Sequence, residues 1–142
     1  MTNTPPDHSS SILRILCVDD EPDIRAVLEL ALKMDPLMEV RSAGSAEEAL
    51  ALLNQREWIP DLALLDMMMP EMNGCQLANA MRASDHMADI AIIFVSANDQ
   101  PSDLAKYRAV GAMGFIRKPF DPLNMARHVR DHLTGAITSL SE

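Results

Sequence analysis

Asp19, Asp20, Glu21, Asp66, Ser96 and Lys118 are the residues of this 142-residue chain whose types could do chemistry together. Each stands just beyond an apolar run: ILCV before the first acidic group, LALL before Asp66, IIFV before Ser96, and GFIR before Lys118. Carboxylates gathered in one place raise one another's pKa unless a cation joins them. Mg²⁺ removes that conflict, because it takes one or two protein carboxylates and keeps water or phosphate oxygens for its other positions. An aspartate in such a setting can act as a nucleophile toward phosphorus and form an acyl phosphate. The metal and the lysine would neutralise charge on the transferring group, while the hydroxyl could hydrogen-bond a phosphoryl oxygen.

Taken singly, each residue also has a plainer role. Asp19-Asp20-Glu21-Pro22 is a reasonable helix start, acidic and with proline in the first turn. Asp66 closes an apolar run with no cation adjacent in sequence, an expensive arrangement for a structural carboxylate. Ser96 alone would pass for a turn residue and Lys118 for a solvated charge. No His/Cys cluster competes for a softer metal. His8 lies near the start, His86 is isolated, and His128 and His132, one helical turn apart, read as surface residues near a helix end. The GxxxxGK[ST] loop is absent, so a nucleotide donor is not indicated. The eleven methionines read as gap-filling residues of core and loop.

What must position these groups is a series of strand-plus-helix units. Five apolar runs, Ile12–Val18, Met38–Ala43, Leu62–Asp66, Ile90–Val95 and Ala112–Arg117, begin about 26, 24, 28 and 22 residues apart. They are nearly continuous rather than alternating, as in strands covered on both faces. Helices are expected at Asp23–Met34, Ala46–Asn54, Asn73–Ala83, Ser102–Val110 and Pro122–Leu133. In the first, Ile24, Val27, Leu28, Ala31 and Met34 fall near one face. Ser45 with Glu48 forms a capping-box signature for the second, and Gly111 and Gly135 are expected C-terminal stops. Five such units imply a parallel, right-handed, three-layer α/β domain. In that architecture ligands bind beyond the carboxyl ends of the strands, which is where the acidic, hydroxyl and basic groups stand.

Composition narrows the class. Twelve Lys and Arg against 21 Asp and Glu give a net charge of −9, the wrong sign for a domain that neutralises a phosphate backbone. The longest apolar stretch, Ile90–Val95, is far too short to cross a bilayer. Cys17 and Cys75 read as reduced thiols, the first in the core. No secretory signal is legible, and a cytoplasmic protein is expected. Residues 1–11 are expected to be a loose tail, residues 12–134 the folded domain and residues 135–142 a short second tail.

The stretches ILCVDDEPDIR, DLALLDMMMPEMNG, IIFVSA and GAMGFIRKPF closely resemble the receiver domain of two-component response regulators. The separations agree too, with Ser96 30 residues after Asp66 and Lys118 22 after Ser96. The resemblance runs from about Ile12 to Leu133. It implies a flavodoxin-like, doubly wound five-stranded sheet of order 2-1-3-4-5 with five helices. By resemblance Asp66 is the phosphoacceptor and shares Mg²⁺ with Asp20, Asp19 acts mainly through metal-bound water, and the Met68 backbone carbonyl completes the protein ligands. Lys118 would contact the phosphoryl group, and its bond to Pro119 would be the family's cis peptide. Ser96 takes the switch hydroxyl position and Phe115 the switch aromatic position, where many relatives have tyrosine. Met68 and Asn98 flank the approach of the hydrolytic water, and a bulky Met68 implies slow self-dephosphorylation.

The implied function is a phosphorylatable switch, fed by a histidine kinase or a histidine phosphotransfer protein. It would act on a protein target through the face spanning roughly residues 102–133. Neither direct nucleic-acid contact nor membrane contact is expected, and the chain would be a monomer or a phosphorylation-dependent dimer. Its only catalysis would be its own phosphorylation and dephosphorylation. Two alternatives remain open at this point. One is a receiver-like module that binds a partner without phosphorylation, which usually lacks an acidic or lysine position. The other is a Mg²⁺-dependent phosphatase with an Asp nucleophile, which commonly carries a second Asp two positions on, where this chain has Met68. No output domain is legible after Leu133, which suits either a stand-alone regulator or a piece of a larger one.

Overall fold

In the computed structural model, which describes residues 11–135 and Leu140, five strands alternate with five helices. In chain order they are β1 Leu13–Val18, α1 Pro22–Lys33, β2 Met38–Ala43, α2 Ala46–Asn54, β3 Leu62–Leu65, α3 Gly74–Arg82, β4 Ala91–Ser96, α4 Pro101–Ala109, β5 Gly114–Arg117 and α5 Met125–Thr134. The strands form one parallel sheet in the order β2-β1-β3-β4-β5. Successive residues of a strand face opposite sides of its sheet, and here both sides are covered. Leu16, Val18, Ala63, Leu65, Ile92 and Phe94 pack with α2 and α3 on one side. Ile15, Cys17, Leu62, Leu64, Ile93 and Val95 pack with α1 and α5 on the other. The near-continuous apolar runs follow from this double burial.

Local signals set the helix ends. The Ser45 hydroxyl accepts the Glu48 amide at 3.0 Å, and the Glu48 carboxylate accepts the Gly44 amide at 3.2 Å. Asn73 and Gln76 cap α3 reciprocally at 2.8 Å each. Gly135 ends α5 at φ +82°, a conformation that favours glycine. The expected helix from Pro122 divides into a 3-10 turn, Pro122–Asn124, and α5, because Asp121 caps the turn and Asn124 takes φ −108°, ψ 0°. Among the described residues no helix is long and apolar enough to cross a membrane.

Three expectations need correction. On α1 the buried stripe is Leu28, Ala31 and Leu32, while Val27 is partly exposed and Met34, the C-cap, is 61% exposed. His132 is not a surface residue. It is buried over Gly114, where an added Cβ would stand 2.3 Å from its ring, so the missing side chain on β5 makes its room. The methionines do fill both core and loop, with Met67 and Met69 buried and Met68 61% exposed. Leu140, assigned to the expected second tail, is buried in the core, and its carbonyl accepts a hydrogen bond from Arg108 at 3.1 Å. The expected first tail lies outside the described residues except for Ser11.

Strand register places the chemical groups. Val18 pairs with Leu65, and the Asp66 amide donates to the Val18 carbonyl at 2.9 Å, so Asp19 and Asp66 leave adjacent strands together. Ser96 pairs with Arg117, and its carbonyl accepts the Lys118 amide at 2.9 Å. Gly74 starts α3 against β3: an added Cβ there would meet the Asp66 carbonyl oxygen at 2.2 Å. Only glycine permits that approach.

Candidate functional site

Three carboxylate oxygens, one each from Asp19, Asp20 and Asp66, lie within 4.8 Å of one another at the carboxyl end of the sheet. Lys118 reaches into this group. Its Nζ donates to Asp19 Oδ2 at 2.7 Å and stands 3.5 Å from Asp66 Oδ1 and 4.0 Å from Glu21 Oε1. The Lys118–Pro119 bond is cis. Asp19 is the most engaged of the acids. Its Oδ1 accepts the Glu21 amide at 2.9 Å and its Oδ2 takes the lysine, while its backbone carbonyl accepts Arg25 Nη1 at 2.7 Å. Asp20 is half-buried and Asp66 is buried.

Electrostatics distinguish the groups. Burial pushes Asp66 up to about 6, and the charge of Asp19 adds to the rise; Lys118 and a backbone hydrogen bond from Met68 oppose it. For Lys118 burial acts downward, but the Asp19 hydrogen bond and the charges of Asp66, Asp19 and Glu21 prevail and raise it. A carboxylate held this way gains from a nearby divalent cation. The donor set is all hard oxygen and fits Mg²⁺, which tolerates a few carboxylates beside retained water.

The sequence-predicted residues divide into two groups. Asp19, Asp20, Asp66 and Lys118 come together in one cluster. Ser96 and Asn98 form a second, adjacent unit, with the buried Ser96 hydroxyl accepting the Asn98 amide at 3.0 Å. Phe115 lies beyond it, stacked on Tyr107 with ring centroids 5.5 Å apart. Met68 extends its side chain toward solvent at the rim. Reasoning from sequence missed Tyr107, which is fully buried and donates its hydroxyl to the Asn98 carbonyl at 2.9 Å. Its one signal was a lone tyrosine in an otherwise polar helix. Arg25 was missed as well; its acceptor is a backbone carbonyl, which has no sequence signature.

A flavodoxin-like sheet with an acidic cluster and a lysine at its switch point defines a class that the comparisons bear out. The chain belongs to the response regulator receiver domain family, whose match spans residues 15–130. Its relatives include the transcriptional regulatory protein YvrH of Bacillus subtilis, 35% identical over 125 residues, covering 88% of this chain and 51% of YvrH. The DNA-binding response regulator MtrA of Mycolicibacterium smegmatis is 32% identical over 120 residues, 84% of this chain and 50% of MtrA. This chain spans about half the length of the curated relatives it matches. Among solved structures, the receiver domain of a putative response regulator NarL from Mycobacterium tuberculosis is similar at TM-score 0.77 and 30% identity, covering 88% of this chain and 98% of that one. The chemotaxis protein CheY4 of Vibrio cholerae is similar at TM-score 0.76 and 28% identity, covering 84% and 98%. The family is a signalling domain of two-component systems, and its members bind Mg²⁺ at such an acidic pocket.

Proposed function

We propose that residues 12–134 act as a phosphoryl-accepting switch in which Asp66 is the acceptor. The observation that carries this is the bridge by Lys118 from Asp19 to Asp66, beside three carboxylate oxygens within 4.8 Å of one another. Asp19 has both carboxylate oxygens engaged by protein groups. As the family resemblance implies, Asp20 and Asp66 would turn carboxylate oxygens to the metal, with Asp19 acting through water and the Met68 carbonyl as the further protein ligand. Bound there, Mg²⁺ would supply positive charge to the phosphoryl oxygens. Asp66 attacks phosphorus, the donor's phosphohistidine bond breaks, and Lys118 stays beside the charge that arrives. Ser96 turns its hydroxyl to a phosphoryl oxygen, and the face from α4 through β5 to α5 responds.

The donor in this reading is a histidine kinase or a histidine phosphotransfer protein, and the target is a protein. The domain itself carries the wrong net charge for DNA. Relatives named for DNA binding are about twice as long as the segment they share with this chain. The reading is tested by intact mass after incubation with acetyl phosphate. One added phosphoryl group is expected with Mg²⁺ and none with the metal chelated. If phosphorylated histidine kinases and phosphotransfer proteins also fail to load it, the partner-binding module replaces the switch.

Met68 tunes the lifetime of the acyl phosphate. Its exposed apolar side chain stands two residues past the acceptor and offers an incoming water no hydrogen bond. An amide at that position would hold the water, and one hydrogen bond of about 1 kcal/mol corresponds to about a fivefold rate change. Met68→Asn should therefore lose its label about fivefold faster than wild type in a pulse-chase with radioactive phosphate. Faster loss from wild type would remove Met68 from this role.

A further inference from the structure

Tyr107 is the only tyrosine in the chain and the only buried residue of α4. Most helices dock through a stripe of apolar residues; α4 docks through the Tyr107 ring and the half-buried Leu104. That ring lies between Phe94, at 4.2 Å and 17° between planes, and Phe115, at 5.5 Å and 24°. Its hydroxyl ties α4 back to the loop after β4 by donating to the Asn98 carbonyl at 2.9 Å. The same residue, Asn98, is held by its amide to the Ser96 hydroxyl at 3.0 Å. A continuous path of two hydrogen bonds thus joins the hydroxyl beside the acidic cluster to the one fully buried side chain of α4.

The turn that follows α4, three residues past Tyr107, is fixed independently. Arg82 donates to the carbonyls of Val110 and Gly111 at 3.2 and 3.1 Å, and to those of Ala88 and Ile90 at 2.8 and 2.7 Å. One guanidinium therefore joins the α4–β5 turn to the loop between α3 and β4. Gly111 takes φ +77° in that turn, with the Arg82 guanidinium about 3.4 Å from where a Cβ would be. The Tyr107 phenol and the turn held by Arg82 therefore grip the same, C-terminal part of α4, while residues 101–106 contribute no buried side chain.

We propose that Tyr107 is the positioning residue that carries the state of Ser96 to α4. The inference rests on the phosphoacceptor reading of Asp66. When the Ser96 hydroxyl turns to a phosphoryl oxygen, the Asn98 amide loses its acceptor and residues 97–100 rearrange. The Asn98 carbonyl moves with them, the phenol follows it, and α4 is re-seated on the sheet beside the turn held by Arg82. Phe115, which has no hydroxyl, follows through its stacking on Tyr107. The hydrogen-bonding half of the switch thus resides on α4 and the packing half on β5.

Tyr107→Phe keeps the ring stack and removes the latch. Intact mass first establishes that wild type and Tyr107→Phe gain the phosphoryl group equally. Hydrogen exchange over residues 97–110 is then compared with and without acetyl phosphate and Mg²⁺. In wild type phosphorylation changes exchange there; in Tyr107→Phe the change should fall about fivefold, the effect of one ordinary hydrogen bond. Phe115→Leu, which keeps the phenol, should retain most of the response. Fluorotyrosine-labelled wild type offers a second measurement, since its single fluorine signal reports residue 107 and should shift on phosphorylation. An undiminished response in Tyr107→Phe, or a fluorine signal that does not move, overturns the proposal. A wild type that gains no phosphoryl group from any donor overturns the phosphoacceptor reading, visible by mass alone, and the latch falls with it.

Discussion

Asp66→Asn should gain no phosphoryl group under conditions that load the wild type, and should nevertheless be the more stable protein at neutral pH without divalent metal. The loss follows from chemistry, since an amide is not a nucleophile toward phosphorus in place of a carboxylate. The gain follows from linkage. Asp66 has a folded pKa of about 6, pushed up by burial and then by Asp19, against about 3.9 for an unfolded aspartate. The folded state therefore holds a proton that the unfolded state has released between those values. Stability from this group is greatest below about pH 4 and is lost as pH rises through about 6. Ionised Asp66 then costs the folded state on the order of 2 kcal/mol at neutral pH, and the amide avoids that cost. Urea denaturation of both chains at pH 5 and 7.5 with a chelator present checks it. The wild-type midpoint should drop relative to the variant as pH rises; parallel pH dependences, or a phosphorylated variant, would refute the assignment.

How much of this was legible in the sequence depended on what kind of group each residue bonds. Asp19, Asp20, Asp66, Ser96 and Lys118 could be placed together because a parallel βα series delivers all its strand ends to one edge, and those residues stand at or just past the ends of the strands. The order 2-1-3-4-5 came through the family resemblance, and the observed sheet has it. What periodicity could not supply was the opposing surface. His128 and His132 share a helical spacing that reads as exposed, yet His132 is buried because Gly114 on β5 leaves a space for its ring. Tyr107 looked like a solitary aromatic in a polar helix; its neighbours Phe94 and Phe115 come from two strands and are adjacent only after folding. Arg82 and Arg25 were invisible for another reason: their acceptors are backbone carbonyls, present at every position. The site was readable where charge marked it and unreadable where packing or the backbone made it.

Lys118→Met is the sharper test of the cluster, because it removes the ammonium paired with the Asp19 and Asp66 carboxylates and leaves the acids in place. Lys118 is 14% exposed and sits between Asp19, at 2.7 Å, and Asp66, at 3.5 Å. Without it Asp19 and Asp66 remain buried side by side without the ammonium that bridges their carboxylates, and removing one partner of a buried pair costs about 3 kcal/mol. The loss should depend on pH in a definite direction. With the lysine gone, the pKa of Asp66 rises further above about 6, since Lys118 is one of the groups holding it down. As pH falls, Asp66 takes up a proton and the repulsion ends, so wild type and variant should converge toward pH 5 and diverge toward pH 8. Mg²⁺ acts in the same direction by another route, because a divalent cation among the same oxygens restores the missing charge. Denaturation midpoints over that pH range, with and without Mg²⁺, therefore have a joint signature: a deficit largest in alkaline, metal-free buffer and reduced by either acid or Mg²⁺. A uniform deficit insensitive to both would mean that Lys118 contributes only the packing of its methylene stem. The cluster would then not be the coupled set of charges on which Mg²⁺ binding and phosphoryl transfer to Asp66 depend.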